Sequence, residues 1–475
     1  MKVLVVHYHL RPGGVTTVIR RQLSALAALG VDAAILSGEA PPSAVSRSGT
    51  VTVEPALGYD AALGRDAASG GPDPDRVAGI ACAIRREADA MGDDTVIHVH
   101  NPTLRKNASL LPALAELAAS GRRLLLHVHD LAEDWRPQVY SFAPYPDGVR
   151  WAAINRFDAD ALRQAGASEV AFLPDPVPCP PPGRNGEPSR PRSPGLVLYP
   201  VRGIRRKNLG EAVLLSMFAR KGASVGVTLP PASQGDKPRY DSWRSLAAEL
   251  GAPIRFGMGL DHDFDALYAG AVAVLTTSVK EGFGLSYLEP IARGRLTLGR
   301  RLPRVVADFE AAGLVFPELY DSIVTPGGLF DEDGFARRVT RVVDAAAASY
   351  RWRGLEGGFS RAVVDDILQG RAAGADFGRL DEIAQTEVLR ALSCERRARS
   401  GFIAANPRLE GWDAVADDRA PQPRECLAPW SEAAYGQRLS ALYRDMLGRG
   451  GGSAPGKEAL LALYLRAEAF NGTGI

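Results

Sequence analysis

Short, unbroken apolar runs alternate with helical stretches along this chain, and the series halts at a proline-rich break and then begins again. Residues 3–8 form the first run, which reads as a strand buried on both faces of a parallel sheet. The loop His9-Leu10-Arg11-Pro12-Gly13-Gly14 follows, and then Val15, Val18, Ile19, Leu23 and Leu26 recur at helical spacing until Gly30. Residues 31–36, 96–99 and 124–128 repeat the strand signal, with a helical stretch around 110–118 before the last. This order implies a parallel sheet with helices on both faces.

The break spans residues 174–194, with Pro174-Asp175-Pro176 and a Cys-Pro-Pro-Pro run, and it reads as a linker. Strand runs at 196–201, 225–229, 254–257, 273–277 and 296–299 then alternate with helical stretches at 209–219 and 240–250. Two doubly wound, Rossmann-like α/β domains joined by a hinge are expected, with ligands in a cleft at the carboxyl ends of the strands. Residues 328–424 read as mostly helical. Residues 432–447 form an amphipathic helix with Tyr435, Leu439, Leu442, Tyr443 and Met446 on one side. The glycine-containing stretch 448–453 after it is expected to be mobile.

Composition excludes several classes of function. A formal net charge of +1 over 475 residues gives no general attraction to nucleic acid or anionic lipid. Cys82, Cys179, Cys394 and Cys426 are far apart and form no C-x-x-C pair, which argues against a zinc site or a disulfide framework. No apolar run reaches the ~18 residues of a membrane span. A cytoplasmic protein is expected.

Four groups of residues bear on chemistry. Gly13-Gly14, between a strand and a helix, lets backbone approach a ligand at a helix N-terminus; an ordinary tight turn is the alternative. Six of the seven histidines (His7, His9, His98, His100, His127 and His129) fall at or just past strand ends. Strand alternation puts His98 with His100, and His127 with His129, on one face. The H-x-H spacing also suits a metal, but no cysteine accompanies it, and one substrate-contacting histidine among structural ones is the expectation. Arg202, Arg205, Arg206 and Lys207 follow the first strand of the second domain and open a helix, where the macrodipole disfavours cations unless an anion is bound. A diphosphate suits an Arg fork and a Lys point charge. Finally, Glu281-Gly282-Phe283-Gly284-Leu285 and Glu289 follow a strand and open a helix, with carboxylates able to accept from a vicinal diol. Ser286-x-x-Glu289 also matches a helix capping box, weakened by Pro290. Asp73-x-Asp75, Asp158-x-Asp160 and Asp261-His262-Asp263 spell a metal-binding D-x-D, but the last two read as first-turn acids, and Ala266 excludes an EF-hand.

Taken together these motifs resemble glycosyltransferase family 4, the retaining transferases of GT-B fold. Gly13-Gly14, His129-Asp130, Pro174-Asp175-Pro176-Val177, Arg202 with Lys207, and Glu281 with Glu289 match the family's signals in order. Asp175 stands where Asn is usual, and Val201 where Gly usually precedes the Arg. The resemblance implies two Rossmann-like domains facing across a cleft. An acceptor domain would span 1–185, a donor domain 190–425, and a C-terminal helical segment 429–475 would cross back to the first domain. It implies that Arg202 and Lys207 hold the donor diphosphate in place of a metal, and that Glu289 holds the ribose. Glu281 with Gly282, Phe283, Gly284 and Leu285 would hold the transferred sugar and phosphate. His129 would touch that sugar, and Gly13 and Gly14 would border the reacting centre. His129, Arg202, Lys207 and Glu281 are thus the expected catalytic set.

The expected activity is metal- and cofactor-independent transfer of a hexose from a nucleoside diphosphate sugar, with hinge closure excluding water. The acceptor is expected to be a small molecule or glycan rather than a lipid, and no nucleic acid is involved. Arg105, Lys106, Arg122 and Arg123 flank an apolar helix and read as a solvated face. A nucleotide-sugar epimerase of the same fold and a non-catalytic sugar-nucleotide-binding protein are the alternatives.

Overall fold

The computed structural model describes residues 1–40, 50–60, 71–177, 195–352, 354, 358–368 and 374–472. The chain divides into two compact units, Met1–Val177 with Ala428–Leu465, and Pro178–Leu427 with Arg466–Ile475. Residues 178–194 of the proline-rich break, Cys179 among them, lie outside the described residues.

The first unit is built on seven parallel strands: β1 (Lys2–His7), β2 (Asp32–Ser37), β3 (Thr50–Val53), β4 (Thr95–His100), β5 (Leu124–Val128), β6 (Arg150–Ala153) and β7 (Val170–Phe172). Their order across the sheet is β3-β2-β1-β4-β5-β6-β7. Leu4 and Val6 face one apolar layer, with helices Pro74–Met91, Leu110–Ala119 and Arg156–Gln164. Val3 and Val5 face the other, formed by helix Gly14–Ala28 and the tail helix Glu432–Gly448. Tyr435, Leu439, Tyr443 and Met446 of the tail helix are buried there, and Leu442 packs partly buried beside them. The stretch after this helix is bonded to the unit: Gly452 bridges Val149, with its N–H donating to the Val149 carbonyl at 2.9 Å. The mobility expected of it from glycine content gives way to that pairing.

The second unit holds six parallel strands: β8 (Leu196–Arg202), β9 (Ser224–Leu229), β10 (Ile254–Phe256), β11 (Ala273–Thr276), β12 (Leu296–Arg300) and β13 (Leu319–Tyr320), in the order β10-β9-β8-β11-β12-β13. Residues 328–424 are mostly helical, with Glu332–Tyr350, Phe359–Leu368, Glu382–Cys394 and Arg396–Ala405 the longer helices.

In both sheets the chain winds outward in one direction and then returns to pair on the other side of the first strand. The reversal falls between β1 and β4 in the first unit and between β8 and β11 in the second. At such a point the loops leaving the two central strands turn away from each other, and the crevice they leave is where doubly wound sheets bind ligands. Of the acidic D-x-D candidates, Asp73 and Asp263 cap helices, and Asp158 lies in the first turn of a helix capped by Asn155. Asp73 accepts from the Asp75 and Arg76 amides, and Asp263 accepts from Ala266 N–H. Asp158 receives hydrogen bonds from Asn155 and the Tyr464 hydroxyl.

No helix among the described residues is long and apolar enough to cross a membrane. Cys82, Cys394 and Cys426 are free thiols.

Candidate functional site

The loops after β8 and β11 flank the reversal point of the second sheet, and local hydrogen bonds tie them together. The Tyr199 hydroxyl, within β8, donates to the Lys207 carbonyl at 2.7 Å and lies 3.2 Å from Ser278 Oγ. Thr277 Oγ1 also donates to the Lys207 carbonyl, at 3.0 Å, and the Val279 amide to that of Arg206, also at 3.0 Å. Between these ties, Arg205–Lys207 makes a single tight turn, and Asn208, in the left-handed region at φ 46°, leads into helix Leu209–Met217. The basic residues therefore precede the helix rather than form its first turn.

This arrangement presses Lys207 Nζ against Glu281 Oε1. Both side chains are nearly buried, at 13% and 10% exposure. Burial lowers the Lys207 pKa, and Glu281 offsets that only in part. Burial acts to raise the Glu281 pKa, but the Lys207 and Arg206 charges outweigh it and hold the carboxyl below its ordinary value. The result is a charged pair at the crevice floor with Arg206 adding positive potential, a role not singled out in the sequence. Arg202 ends β8 just past an irregularity in its pairing with β9, and its side chain is exposed.

Gly282 and Phe283 continue the loop, and Phe283 meets Phe309 edge-on with 5.6 Å between ring centres. Gly284 turns the chain into helix Leu285–Ala292 at φ 91°. A Cβ there would lie 2.3 Å from Val305 Cγ1, so both conformation and space require glycine. No side chain caps this helix. Ser286 is its second residue rather than its cap, and its hydroxyl oxygen is buried without a hydrogen-bond partner. The capping-box alternative is therefore not realised; the Tyr287 amide donates to the Gly284 carbonyl at 2.9 Å, and no side chain covers the helix start ahead of it, where an anion can be received. Pro290 lies inside the helix, removing a further backbone donor. Glu289 sits one turn along, half-buried, with Oε1 3.7 Å from Arg293 Nε.

Behind this crevice lies a buried ion network that the sequence did not announce. Arg300 donates from Nε and Nη2 to Glu211 at 2.8 and 2.6 Å, and from Nη1 and Nη2 to Asp376 at 2.8 and 2.9 Å. Glu211 also accepts from the Asn208 side chain at 3.0 Å, which anchors the residue next to Lys207. A charged residue ending the apolar run of β12 was the one signal for it.

In the first unit, Gly13 and Gly14 stand where the loop after β1 enters helix Gly14–Ala28. Gly13 is extended, and no side chain caps the helix. A Cβ on Gly14 would meet nothing within 4 Å, so the protein itself does not demand glycine there. The space is left open beside uncapped amides.

His98, His100 and His127 are fully buried within β4 and β5, and His129 lies just past β5 at 6% exposure. The His98 and His100 rings stack 4.4 Å apart. His98 Nε2 lies 3.1 Å from His127 Nδ1, and His100 Nδ1 lies 3.0 Å from His129 Nε2. Asp175 Oδ2 is 3.8 Å from His129 Nδ1, so both ring nitrogens of His129 face protein groups. Burial brings the His129 pKa down to about 4 and raises that of Asp175 to about 8. Two trios, His98 with His100 and His127, and His127 with His129 and Asp175, bring one potential ligand atom each within 4.8 Å of one another. His98 and His100 in the first trio already use both ring nitrogens in hydrogen bonds.

No protein-family model matches the chain. A mannosylglucosyl-3-phosphoglycerate synthase from Petrotoga mobilis (strain DSM 10674 / SJ95) is 27% identical over 264 residues, which is 48% of this chain and 51% of that protein. The chain thus spans about half the length of this curated relative. Among solved structures, a sucrose-phosphate synthase from Thermosynechococcus elongatus superposes with a TM-score of 0.51 at 16% identity, covering 94% of this chain and 99% of its own. HepE from Anabaena, in complex with UDP and glucose, also gives a TM-score of 0.51, at 14% identity, covering 94% of this chain and 100% of its own. These likenesses show the fold: the two parallel-sheet units are those of a GT-B protein.

Proposed function

We propose that this chain is a glycosyltransferase that moves a hexose from a nucleoside diphosphate sugar to a small-molecule or glycan acceptor. The observation behind the reading is the buried Lys207–Glu281 pair at the reversal point of the second sheet, beside a helix start without a side-chain cap and an unpartnered Ser286 hydroxyl. A cation whose burial cost Glu281 offsets only in part gains from a second anionic partner, and a diphosphate supplies one. The relative named as a mannosylglucosyl-3-phosphoglycerate synthase and the UDP and glucose complex of HepE agree with a sugar-nucleotide donor and a small acceptor.

In this reading Lys207, Arg202 and Arg206 hold the diphosphate, and the helix Leu285–Ala292 adds amide donors to it. Glu289 takes the ribose diol, while Glu281 and the Gly282–Leu285 backbone take the hexose. His129, with Gly13 and Gly14, serves the reacting end. The leaving diphosphate gathers negative charge as the glycosidic bond breaks, and fixed cations stabilise that charge in the transition state more than in the ground state. Protein cations then stand where a metal would otherwise be needed, and the reaction is metal-independent. Retention of the anomeric configuration, kinship with family 4 and a cytoplasmic setting belong to the same reading.

A thermal-shift screen of nucleoside diphosphate sugars in EDTA tests it. A ligand at 100 times its Kd stabilises by about 2.7 kcal/mol. One donor should raise the midpoint of the wild-type chain and fail to do so in Lys207→Ala. No response to any donor would reject the reading.

A further inference from the structure

The buried histidines of the first unit form two chains that start from one side chain. Gln22, on helix Gly14–Ala28, is fully buried. Its Nε2 lies 2.8 Å from His98 Nδ1 and donates to the Tyr443 hydroxyl at 2.8 Å, while its Oε1 lies 2.7 Å from His100 Nε2. One chain then runs Gln22–His98–His127, and the other runs Gln22–His100–His129.

A neutral imidazole has one N–H and one lone pair, so each ring in a chain passes on the polarity it receives. With the amide nitrogen toward His98, that ring accepts at Nδ1, where Tyr443 also sits at 2.6 Å, and donates from Nε2 to His127. His127 is then left with an N–H on Nε2. On the other side the amide oxygen accepts from His100 Nε2–H. His100 Nδ1 therefore accepts from His129 Nε2–H, and His129 keeps its lone pair on Nδ1, toward Asp175. Turning the amide round reverses all four rings together. The structure holds the first orientation: the amide nitrogen lies 2.8 Å from His98 Nδ1 and donates to the Tyr443 hydroxyl, and the amide oxygen lies 2.7 Å from His100 Nε2. His127 Nε2, at the end of its chain, is buried without a hydrogen-bond partner among the described residues, so nothing there opposes that polarity. Burial holds all four rings neutral, as this logic requires.

We propose that Gln22 is the positioning residue of the first unit's site, holding His129 as its Nε2–H tautomer with the Nδ1 lone pair turned to Asp175. An ionised Asp175 beside that lone pair would be repelled, whereas its acid form has a proton to offer from the oxygen that lies 3.8 Å away; its other oxygen, Oδ1, is buried without a hydrogen-bond partner. The same polarity argues against a metal in the His127, His129 and Asp175 trio. Two lone pairs would have to face the ion, and a single amide delivers one lone pair and one N–H. The kinetic consequence rests on the proposed sugar transfer; the tautomer assignment does not.

The test is the tautomer itself, read from long-range 15N–1H correlations in the full chain labelled at histidine. Wild type should show His98, His100, His127 and His129 all as neutral Nε2–H rings. Gln22→Met should move the His129 ring nitrogens toward averaged values. With transfer active, it should lower kcat about tenfold while leaving donor KM within about twofold. Tyr443→Phe keeps the amide and should keep all four Nε2–H signatures. A wild-type His129 found as Nδ1–H, or unchanged His129 shifts in a folded Gln22→Met, would overturn the proposal. If Gln22→Met does not fold, the wild-type spectrum alone decides. Nε2–H signatures in a protein that transfers no sugar would reject the proposed function and leave the lock standing.

Discussion

Removing one partner of the Lys207–Glu281 pair strands the other, and the two removals are not equivalent. Glu281→Gln leaves a nearly buried ammonium without its carboxylate. Breaking a buried pair costs about 3–5 kcal/mol. The ceiling is the work of neutralising the stranded group instead. For a lysine of ordinary pKa 10.5 at pH 7 that is about 4.8 kcal/mol. For Lys207→Met the stranded carboxyl, ordinarily at 4.5, takes a proton for about 3.4 kcal/mol. In a unit of this size each kcal/mol moves the midpoint by about 2–4 °C, so losses of ~6–20 °C and ~6–14 °C are expected. The discriminating step is the addition of a nucleoside diphosphate without its sugar, which removes any hexose contact by Glu281 from the comparison. If the diphosphate is the second counter-charge of Lys207, it should stabilise Glu281→Gln by more than it stabilises wild type, and Lys207→Met hardly at all. Differential scanning calorimetry of the second unit's transition, with and without ligand, reads this order. Equal ligand shifts in all three proteins would refute the reasoning.

Two further perturbations follow from named residues. Gly284→Ala puts a Cβ 2.3 Å from Val305 in a left-handed backbone, and should cost about 1–3 kcal/mol and weaken donor binding, as denaturant midpoints and titration would show. The first unit should be acid-labile. His7, His98, His100, His127 and His129 are held below their ordinary 6.5, largely by burial, so the unfolded chain binds protons that the folded one refuses, and stability falls as pH drops below 6.5. Asp175, raised to about 8, and Asp158, raised to about 6, work in the opposite sense. The net loss between pH 7.5 and 5.5 is about 3–4 kcal/mol. Midpoints of the first unit that are flat across that window would contradict it.

The sequence announced strands where burial on both faces made an unbroken apolar run, as in β1, β5, β8 and β11. It found the short, half-exposed Ile254–Phe256 but was silent on three other strands. Thr50–Val53 and Val170–Phe172 have no fully buried residue, and Arg150–Ala153 begins with a charge. Helix Pro74–Met91 escaped notice because small alanines line much of its buried face, although Asp73-Pro74 is a cap followed by a first-turn proline. The motifs around Lys207 and Glu281 were readable one by one. Their contact was not, because it depends on β8 and β11 being neighbours across more than 70 residues of intervening chain. Gln22 left a fainter trace, a polar residue on the apolar side of its helix. Its meaning appears when strand pairing brings four histidines to it.

The most direct test of donor use is a turnover assay in EDTA with a panel of nucleoside diphosphate sugars and small-molecule and glycan acceptors. Released nucleoside diphosphate and product anomeric configuration are read together. One donor should release its nucleoside diphosphate in step with formation of a glycoside of retained configuration, and Lys207→Ala should abolish both. An isomerised sugar nucleotide without transfer, or donor binding with no release across the panel, would contradict the account.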